Sequence, residues 1–186
     1  NTNLSAYTFE ITQLTAFKDS AYNGVLVGGI AGGVGSNIQI HSVGYAPYSF
    51  YVKKQKFDAE GNILENEFED LNGDGIVNDK DKYRFHNRSP KYTIGVNNTF
   101  DLFKFQLSCG IRANIGQYVY NNVQTDQGYF KRVYGSSGYL ANVNQSAVDL
   151  NVQDQAHLTF SDYFVTDASF VKIDNISLSY DFNQLV

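Results

Sequence analysis

Apolar and polar side chains alternate with a period of two over stretches longer than ordinary strands. Phe103, Phe105, Leu107, Cys109, Ile111, Ala113 and Ile115 alternate with Lys104, Gln106, Ser108, Gly110, Arg112, Asn114 and Gly116. Successive side chains of a strand point to opposite faces, so this run predicts a strand with one apolar and one polar face. Just upstream, Tyr92, Ile94, Val96, Phe100 and Leu102 alternate with Thr93, Gly95, Asn97, Thr99 and Asp101, and Asn98 is the one polar intruder on the apolar side. The apolar phase moves from even to odd positions across Asp101 to Lys104, as it does when a tight hairpin hands the apolar face to its partner.

A third strand is predicted near the end, where Ile176, Leu178, Tyr180 and Phe182 oppose Asn175, Ser177, Ser179 and Asp181. Its upper half is out of phase, because Val171 and Ile173 are apolar while Lys172 and Asp174 are polar. Either a β-bulge or a change of surroundings near Asp174 and Asn175 accounts for that. A weaker strand opens the chain, with Ser5, Tyr7, Phe9 and Ile11 on one side; Leu4 and Leu14 do not follow it.

Antiparallel strands with one apolar face also build soluble sandwiches, so the pattern alone leaves two architectures. Length separates them. Ordinary strands run about five or six residues, whereas a tilted membrane strand needs about nine to eleven. The expected fold is therefore all-β, an antiparallel transmembrane β-barrel segment of about four long strands near residues 4–15, 91–102, 105–120 and 164–182. On this reading Gln106, Ser108, Arg112 and Asn114 line a wet lumen and the apolar face meets lipid. Tyr92, Tyr118, Tyr120, Tyr163 and Phe182 are the expected interfacial aromatics. One connection is tight and two are long, residues 16–89 and 121–162, which matches short periplasmic turns and long extracellular loops. Four strands cannot close a barrel, so the chain, residues 1–186, is expected to be one part of a larger one.

Composition agrees with strands and excludes several functions. Fourteen Tyr and fourteen Phe with no Met and no Trp suit pleated surfaces, and sixteen Gly interrupt helices. A net charge of −5 with scattered Lys and Arg gives no basic stripe for nucleic acid. Cys109 is the single cysteine and reads as a small apolar strand residue. Val25 to Val34 is too short and too rich in glycine to be a transmembrane helix, and Asn1 to Phe9 has no secretory-signal pattern.

Candidate chemistry is confined to the first long connection. From Asp70 to Asp81, oxygen side chains stand at loop positions 1, 3, 5, 9 and 12 (Asp70, Asn72, Asp74, Asn78, Asp81), and Gly75 holds position 6. This is the spacing of a Ca²⁺ loop, in which the Ile76 carbonyl would serve position 7. The last ligand is Asp81 instead of the longer Glu, and the flanks are not amphipathic helices. The competing reading is an Asx-rich turn whose carboxylates cap local amides without metal. The glycine-rich run Gly28 to Gly35 lacks phosphate-loop spacing and reads as flexible loop. His41, His86 and His157 have no metal-ligand partners in sequence. With no nucleophile elbow, no zinc motif and no paired acid/base carboxylates, no catalysis is expected.

Several ordered motifs add a resemblance. Glu69 to Gly75, Asp81-Lys82-Tyr83-Arg84-Phe85, Ser89 to Gly95, Arg112 to Asn121 and Ser161 to Asn175 resemble, in that order, the SusC/RagA family of TonB-dependent outer-membrane transporters; Val43 to Tyr51 fits as well. The resemblance implies a 22-stranded-type barrel around an N-terminal plug, of which this chain would be the penultimate part, without the plug, the TonB-contacting box or the last strands. It further implies residence in the outer membrane of a Gram-negative bacterium and import of oligosaccharides or peptides driven through TonB. A SusD-like surface lipoprotein is the implied partner, beside the rest of the barrel, its plug and surrounding lipid. The alternative is a soluble extracellular β-sandwich, a carbohydrate-binding or adhesion module with one calcium loop.

Overall fold

A computed structural model describes residues 1–16, 22–30, 36–135 and 138–182. Twelve strands are assigned among them: β1 Thr2–Ala6, β2 Val25–Gly29, β3 Asn37–His41, β4 Ser49–Val52, β5 Gln55–Phe57, β6 Ile63–Phe68, β7 Tyr83–Asn87, β8 Tyr92–Leu102, β9 Phe105–Ile115, β10 Tyr118–Tyr120, β11 Val165–Asp167 and β12 Phe170–Tyr180. Helix is limited to α1 Asn122–Gln127, α2 Ser146–Leu150 and short 3₁₀ turns. The chain divides into two compact units, residues 1–8, 89–118 and 167–186, and residues 9–88 and 119–166.

The first unit is an antiparallel sheet in the order β1-β8-β9-β12. Strands β8, β9 and β12 are 11 residues each, about 36 Å at 3.3 Å per residue. Tilted by about 45°, that length spans about 25 Å, the height of the apolar band of an outer-membrane barrel. Leu102 faces Phe105 across a two-residue turn. In that turn Phe103 takes a left-handed φ of 53°, a backbone state that costs a non-glycine residue about 1–2 kcal/mol. Its ring is fully exposed.

Register carries the alternation across the sheet. Leu4, Ile94, Ala113 and Val171 share one row, and Phe100, Leu107 and Leu178 share another. The polar rows run Thr99, Ser108, Ser177 and Asp101, Gln106, Ser179. The greasy face has no cover among the described residues: Val171 is 74% exposed, Leu178 68% and Ile176 64%. Soluble monomers rarely leave a contiguous apolar patch of more than a few hundred Å².

The out-of-phase half of β12 is explained by a register shift between Ile173 and Asn175. Ile173 faces Ile111, while Ile176 faces Cys109 two positions earlier on the partner. Asp174 is the extra residue, so an odd-numbered and an even-numbered apolar run both stay on the same face. Of the two readings of the phase change, the bulge is the one the register shows.

Several element limits differ from the sequence expectation. The first strand stops at Ala6, where polar and loop-forming contacts take over: Ile11 N–H donates to the Tyr45 carbonyl, and Gly44 N–H to the Ile11 carbonyl. The third strand breaks at Gly116, with a left-handed φ of 77°, before β10 resumes. The last begins as a 3₁₀ turn at Asp162–Phe164, then β11, then β12. Tyr120 is buried instead of interfacial, whereas Tyr92 and Phe182 are exposed.

The long connections are not plain loops, because the second unit contains a four-stranded sheet, β2-β3-β4-β7, and a β5-β6 hairpin. Ile38 and Ile40 are buried on one face of this sheet and Phe50 and Val52 on the other, and Val152, Leu158 and Phe164 are buried in the same unit. The two connections are pinned to each other. Lys53 N–H donates to the Phe160 carbonyl at 2.7 Å and Asp162 N–H to the Lys53 carbonyl at 3.0 Å. The buried Ser161 hydroxyl donates to Gln55 Oε1 at 2.8 Å, and Asp162 accepts from Gln55 N–H at 2.9 Å and from the Tyr83 hydroxyl at 2.6 Å. Burial, followed by that bond to the Asp162 carboxylate, pushes the Tyr83 hydroxyl pKa well up and keeps it a donor. Glycine is required where β2 begins: Gly24 has φ 137°, and a Cβ there would lie 2.2 Å from the His41 carbonyl oxygen. The expected flexible glycine run is partly strand, since Gly28 and Gly29 belong to β2; residues 31–35 lie outside the described residues.

The bulge can be tested in the full-length protein. Deleting Asp174 turns Ile176, Leu178 and Tyr180 onto the polar face and should abolish the folded, heat-resistant gel band, while Asp174→Ala should retain it. Equal recovery of both variants would mean that the register shift does not set the strand's facing.

Candidate functional site

Two groups of residues were expected to carry function, and the structure places them in different units. Gln106, Ser108, Arg112 and Asn114 all lie on the polar face of β9; Gln106 and Ser108 are flanked by polar residues on both sides, Arg112 by Gly95 and Lys172, and Asn114 by Thr93 and Phe170. Neighbouring side chains bind one another across strands. Ser108 and Ser177 hydroxyls are 2.7 Å apart, and Gln106 Nε2 donates to Asp101 Oδ1 at 2.8 Å. Arg112 reaches the bulge residue Asp174 at 3.4 Å, and Lys172 lies 3.9 Å from the same carboxylate. Asn114 Nδ2 donates to Gln117 at 3.4 Å, while its Oδ1 is buried without a partner among the described residues. Gly110 stands in the middle of this face because Asn97 and Asn175 crowd the place of its missing Cβ. Asp174 does not stand out in the sequence pattern, because only the bulge delivers its side chain to Arg112.

The Asp70–Asp81 loop closes on its own amides. Asp70 accepts from Gly73 and Gly75 N–H, both at 2.7 Å; Asn72 accepts from Asp74 at 2.8 Å, and Asp74 from Ile76 at 2.9 Å. Gly73 and Gly75 supply the left-handed turns, at φ 73° and 81°. Asn78 caps the 3₁₀ turn Asp79–Asp81 through Lys80 N–H, and its amide donates to the Ile76 carbonyl at 3.0 Å. Asp81 is fully buried and accepts from Leu71, Asn72 and Asn78 N–H at 3.0, 3.3 and 2.8 Å. Thus position 12 ties the two ends of the loop together. Among the described residues, no group of three or more His, Cys, Asp or Glu is arranged to hold a metal ion.

The amide bond from Asn78, opposed by burial and joined by those from Asn72 and Leu71, holds the Asp81 carboxyl below its ordinary value of 3.8. A depressed carboxyl contributes stability above its unfolded pKa and loses it as pH falls through the folded one. Of the histidines, His157 Nδ1 lies 2.6 Å from Glu65, which also accepts from Gln153 N–H. His41 meets the Tyr48 ring edge-on and His86 packs beside Phe85.

A sheet of long strands with one continuous uncovered apolar face, a hydrogen-bonded polar face and two outer strands open to further pairing defines a segment of a transmembrane β-barrel. No helix among the described residues is long and apolar enough to cross a membrane, which leaves strand crossing untouched. No protein-family model matches the chain. The chain is 34% identical over 178 residues, 95% of its length, to the TonB-dependent receptor SusC of Bacteroides thetaiotaomicron. It is similar in fold to a chain from the structure of the RagAB peptide transporter, with a TM-score of 0.61 over 96% of this chain at 18% identity. The chain spans about a fifth of each, 18% of SusC and 20% of the RagAB chain. It belongs to the SusC/RagA family of TonB-dependent transporters, as a segment of the barrel. Both relatives are named for reception or transport and neither is an enzyme.

Asp81 gives the loop a measurable signature. In the whole protein, amide exchange at Leu71, Asn72 and Asn78 should be slow at pH 7, and Asp81→Ala should speed it by about fivefold or more, as these amides lose a charged acceptor. Protection in the wild type should fade only as pH drops below 3.8. Unchanged exchange in Asp81→Ala would remove the staple.

Proposed function

We propose that this chain is part of an outer-membrane importer that takes up oligosaccharides or peptides with energy relayed by TonB. The observation that carries the reading is the two-faced sheet: apolar rows suited to lipid on one side, and a ladder of polar contacts on the other suited to trapped water. Kinship with SusC and a fold shared with a RagAB chain support the same reading. In it Gln106, Ser108, Arg112 and Asn114 face the lumen, and the orphaned Asn114 Oδ1 is met by water. The tight turn at Phe103 and Lys104 is periplasmic, the connections 16–89 and 121–162 are extracellular, and a SusD-like lipoprotein, the plug and the remaining strands are the partners. Lumen residues bind weakly and reversibly in this scheme; nothing in it requires bond making or breaking.

Labelling of single cysteines in the whole transporter tests the facing. With Cys109 replaced by Ala, cysteines at Ser108 and Ser177 should react with a water-soluble thiol reagent in outer-membrane vesicles, and cysteines at Leu107 and Leu178 should resist it by at least about tenfold, as hydrocarbon excludes charged reagents. Equal labelling of the two sets would sink the lumen assignment. Uptake by the producing strain should disappear when TonB is removed; uptake that persists would rule out energy coupling of this kind.

For the Asp70–Asp81 loop we propose Ca²⁺ bound by Asp70, Asn72, Asp74, Asn78 and the Ile76 carbonyl, with Asp81 closing the ring. The oxygen spacing and the two left-handed glycines support it. Calorimetric titration of the whole protein with Ca²⁺ should saturate in the range of about 10⁻⁴–10⁻³ M, where extracellular modules bind. No heat at those concentrations would leave the loop as a set of Asx turns.

A further inference from the structure

We infer that a cavity in the second unit is a binding site for a carboxylate carried on a small ring or side chain. This deepens the import reading by giving the unit formed from the long connections a ligand class of its own. The cavity has a volume of about 500 Å³ and is framed by strands β2, β3, β4 and β7 and the 3₁₀ turn Asp79–Asp81. That volume is within the range of roughly 300–1,000 Å³ typical of small-molecule sites. Leu26, Ile40 and Tyr51 give it apolar walls, and Lys80, Lys82 and Arg84 bring three cations against the one carboxylate of Asp79.

Two of the three cations, Lys82 and Arg84, are held at the cavity by packing against aromatic rings. The Lys82 side chain is only 8% exposed; its ammonium lies 3.6 Å from the centre of the Phe160 ring and 3.1 Å from Asp79, whose carboxylate is 83% exposed. Arg84 is clamped between Tyr45 and Tyr51, its guanidinium carbon 5.0 and 5.3 Å from their ring centres. Its Nε donates to the buried Ser42 hydroxyl at 3.1 Å, and its Nη2 donates to that hydroxyl and to the Asn23 carbonyl, each at 2.9 Å. These partners are neutral oxygens, so the charge of a half-sequestered guanidinium is oriented but not balanced by them. A carboxylate entering beside Lys82 and Arg84 makes charge-assisted hydrogen bonds where water is already partly excluded, and these are stronger than neutral ones. The Tyr51 ring and the Leu26 and Ile40 side chains offer the carbon skeleton a surface. A neutral ligand of the same size gains only that surface and leaves the cations as they were.

Titration of the full-length transporter in detergent with glucuronic acid, glucose and N-acetylglutamate tests the site. Glucuronic acid should bind at millimolar concentration or better, weaken as salt rises, and lose about tenfold in affinity in Lys82→Met, which keeps the aliphatic stem against Phe160. Should Lys82→Met fail to fold, Lys80→Gln, a change at an exposed position, should still weaken binding by about threefold. Preference for glucuronic acid over N-acetylglutamate assigns the carboxylate to sugar acids, and the reverse assigns it to acidic peptides; either supports the site. Equal binding of glucose and glucuronic acid, no binding of either acid at 10 mM (about the weakest affinity worth assigning), or unchanged affinity in a folded variant would overturn it. TonB-dependent uptake scored separately distinguishes loss of this site from loss of the import reading.

Discussion

A backbone amide or carbonyl exposed to hydrocarbon costs several kcal/mol, and that penalty decides the architecture of the first unit. Strand β9 meets it, paired with β8 over eleven residues and with β12 from Phe105 to Asn114, whereas β1 lies beside β8 only from Tyr92 to Val96. The apolar row of β9 can then face lipid at no cost in hydrogen bonding. β1 and β12 are paired on one side only among the described residues, so the same penalty calls for further strands beyond them. A soluble sandwich would solve the other half of the problem, covering Leu107, Leu178 and Val171 with a second sheet; among the described residues these side chains are exposed or half-exposed.

The same constraint explains why a strand as regular as β12 contains a defect. An unbroken period of two would put either Val171 and Ile173 or Ile176 and Leu178 into the polar face. One inserted residue repairs the phase, and Asp174 suits that position because its carboxylate reaches Arg112 and Lys172. Sequence and geometry thus agree that two apolar runs of opposite parity belong to one apolar surface.

Legibility in the sequence followed the strength of this constraint. Where lipid and water act on opposite faces, alternation is enforced at every residue, and the hairpin of β8 and β9, its two-residue turn and the phase slip at Asp174 could all be read from residue order. The connecting segments escape that enforcement. Strands β2 to β7 are three to six residues long, β3 and β4 are buried on both sides, and runs such as Ser49–Val52 show no alternation at all. The pairing of Gln55 with Ser161 and Asp162, more than a hundred positions away, leaves no local pattern. Likewise Lys82 and Arg84 stand two positions apart, on one face of the chain entering β7, but only Leu26, Ile40 and Tyr51 from strands distant in sequence give that face its cavity.

The pinning of the two connections has a consequence for how such a protein can vary. A network made of Glu65 with His157, Tyr83 with Asp162 and Ser161 with Gln55 links residues from both connections through buried or half-buried polar groups. Removing one partner strands the other, at about 1–3 kcal/mol for a buried group, so changes in one connection demand compensation in the other. Exposed positions such as Ile76, Leu140 and Tyr139 carry no such debt. The physical expectation is therefore a unit whose internal staples are fixed in pairs while its exposed tips are free to diverge. This division lets the exposed tips change without disturbing the polar pairs that hold the two connections together.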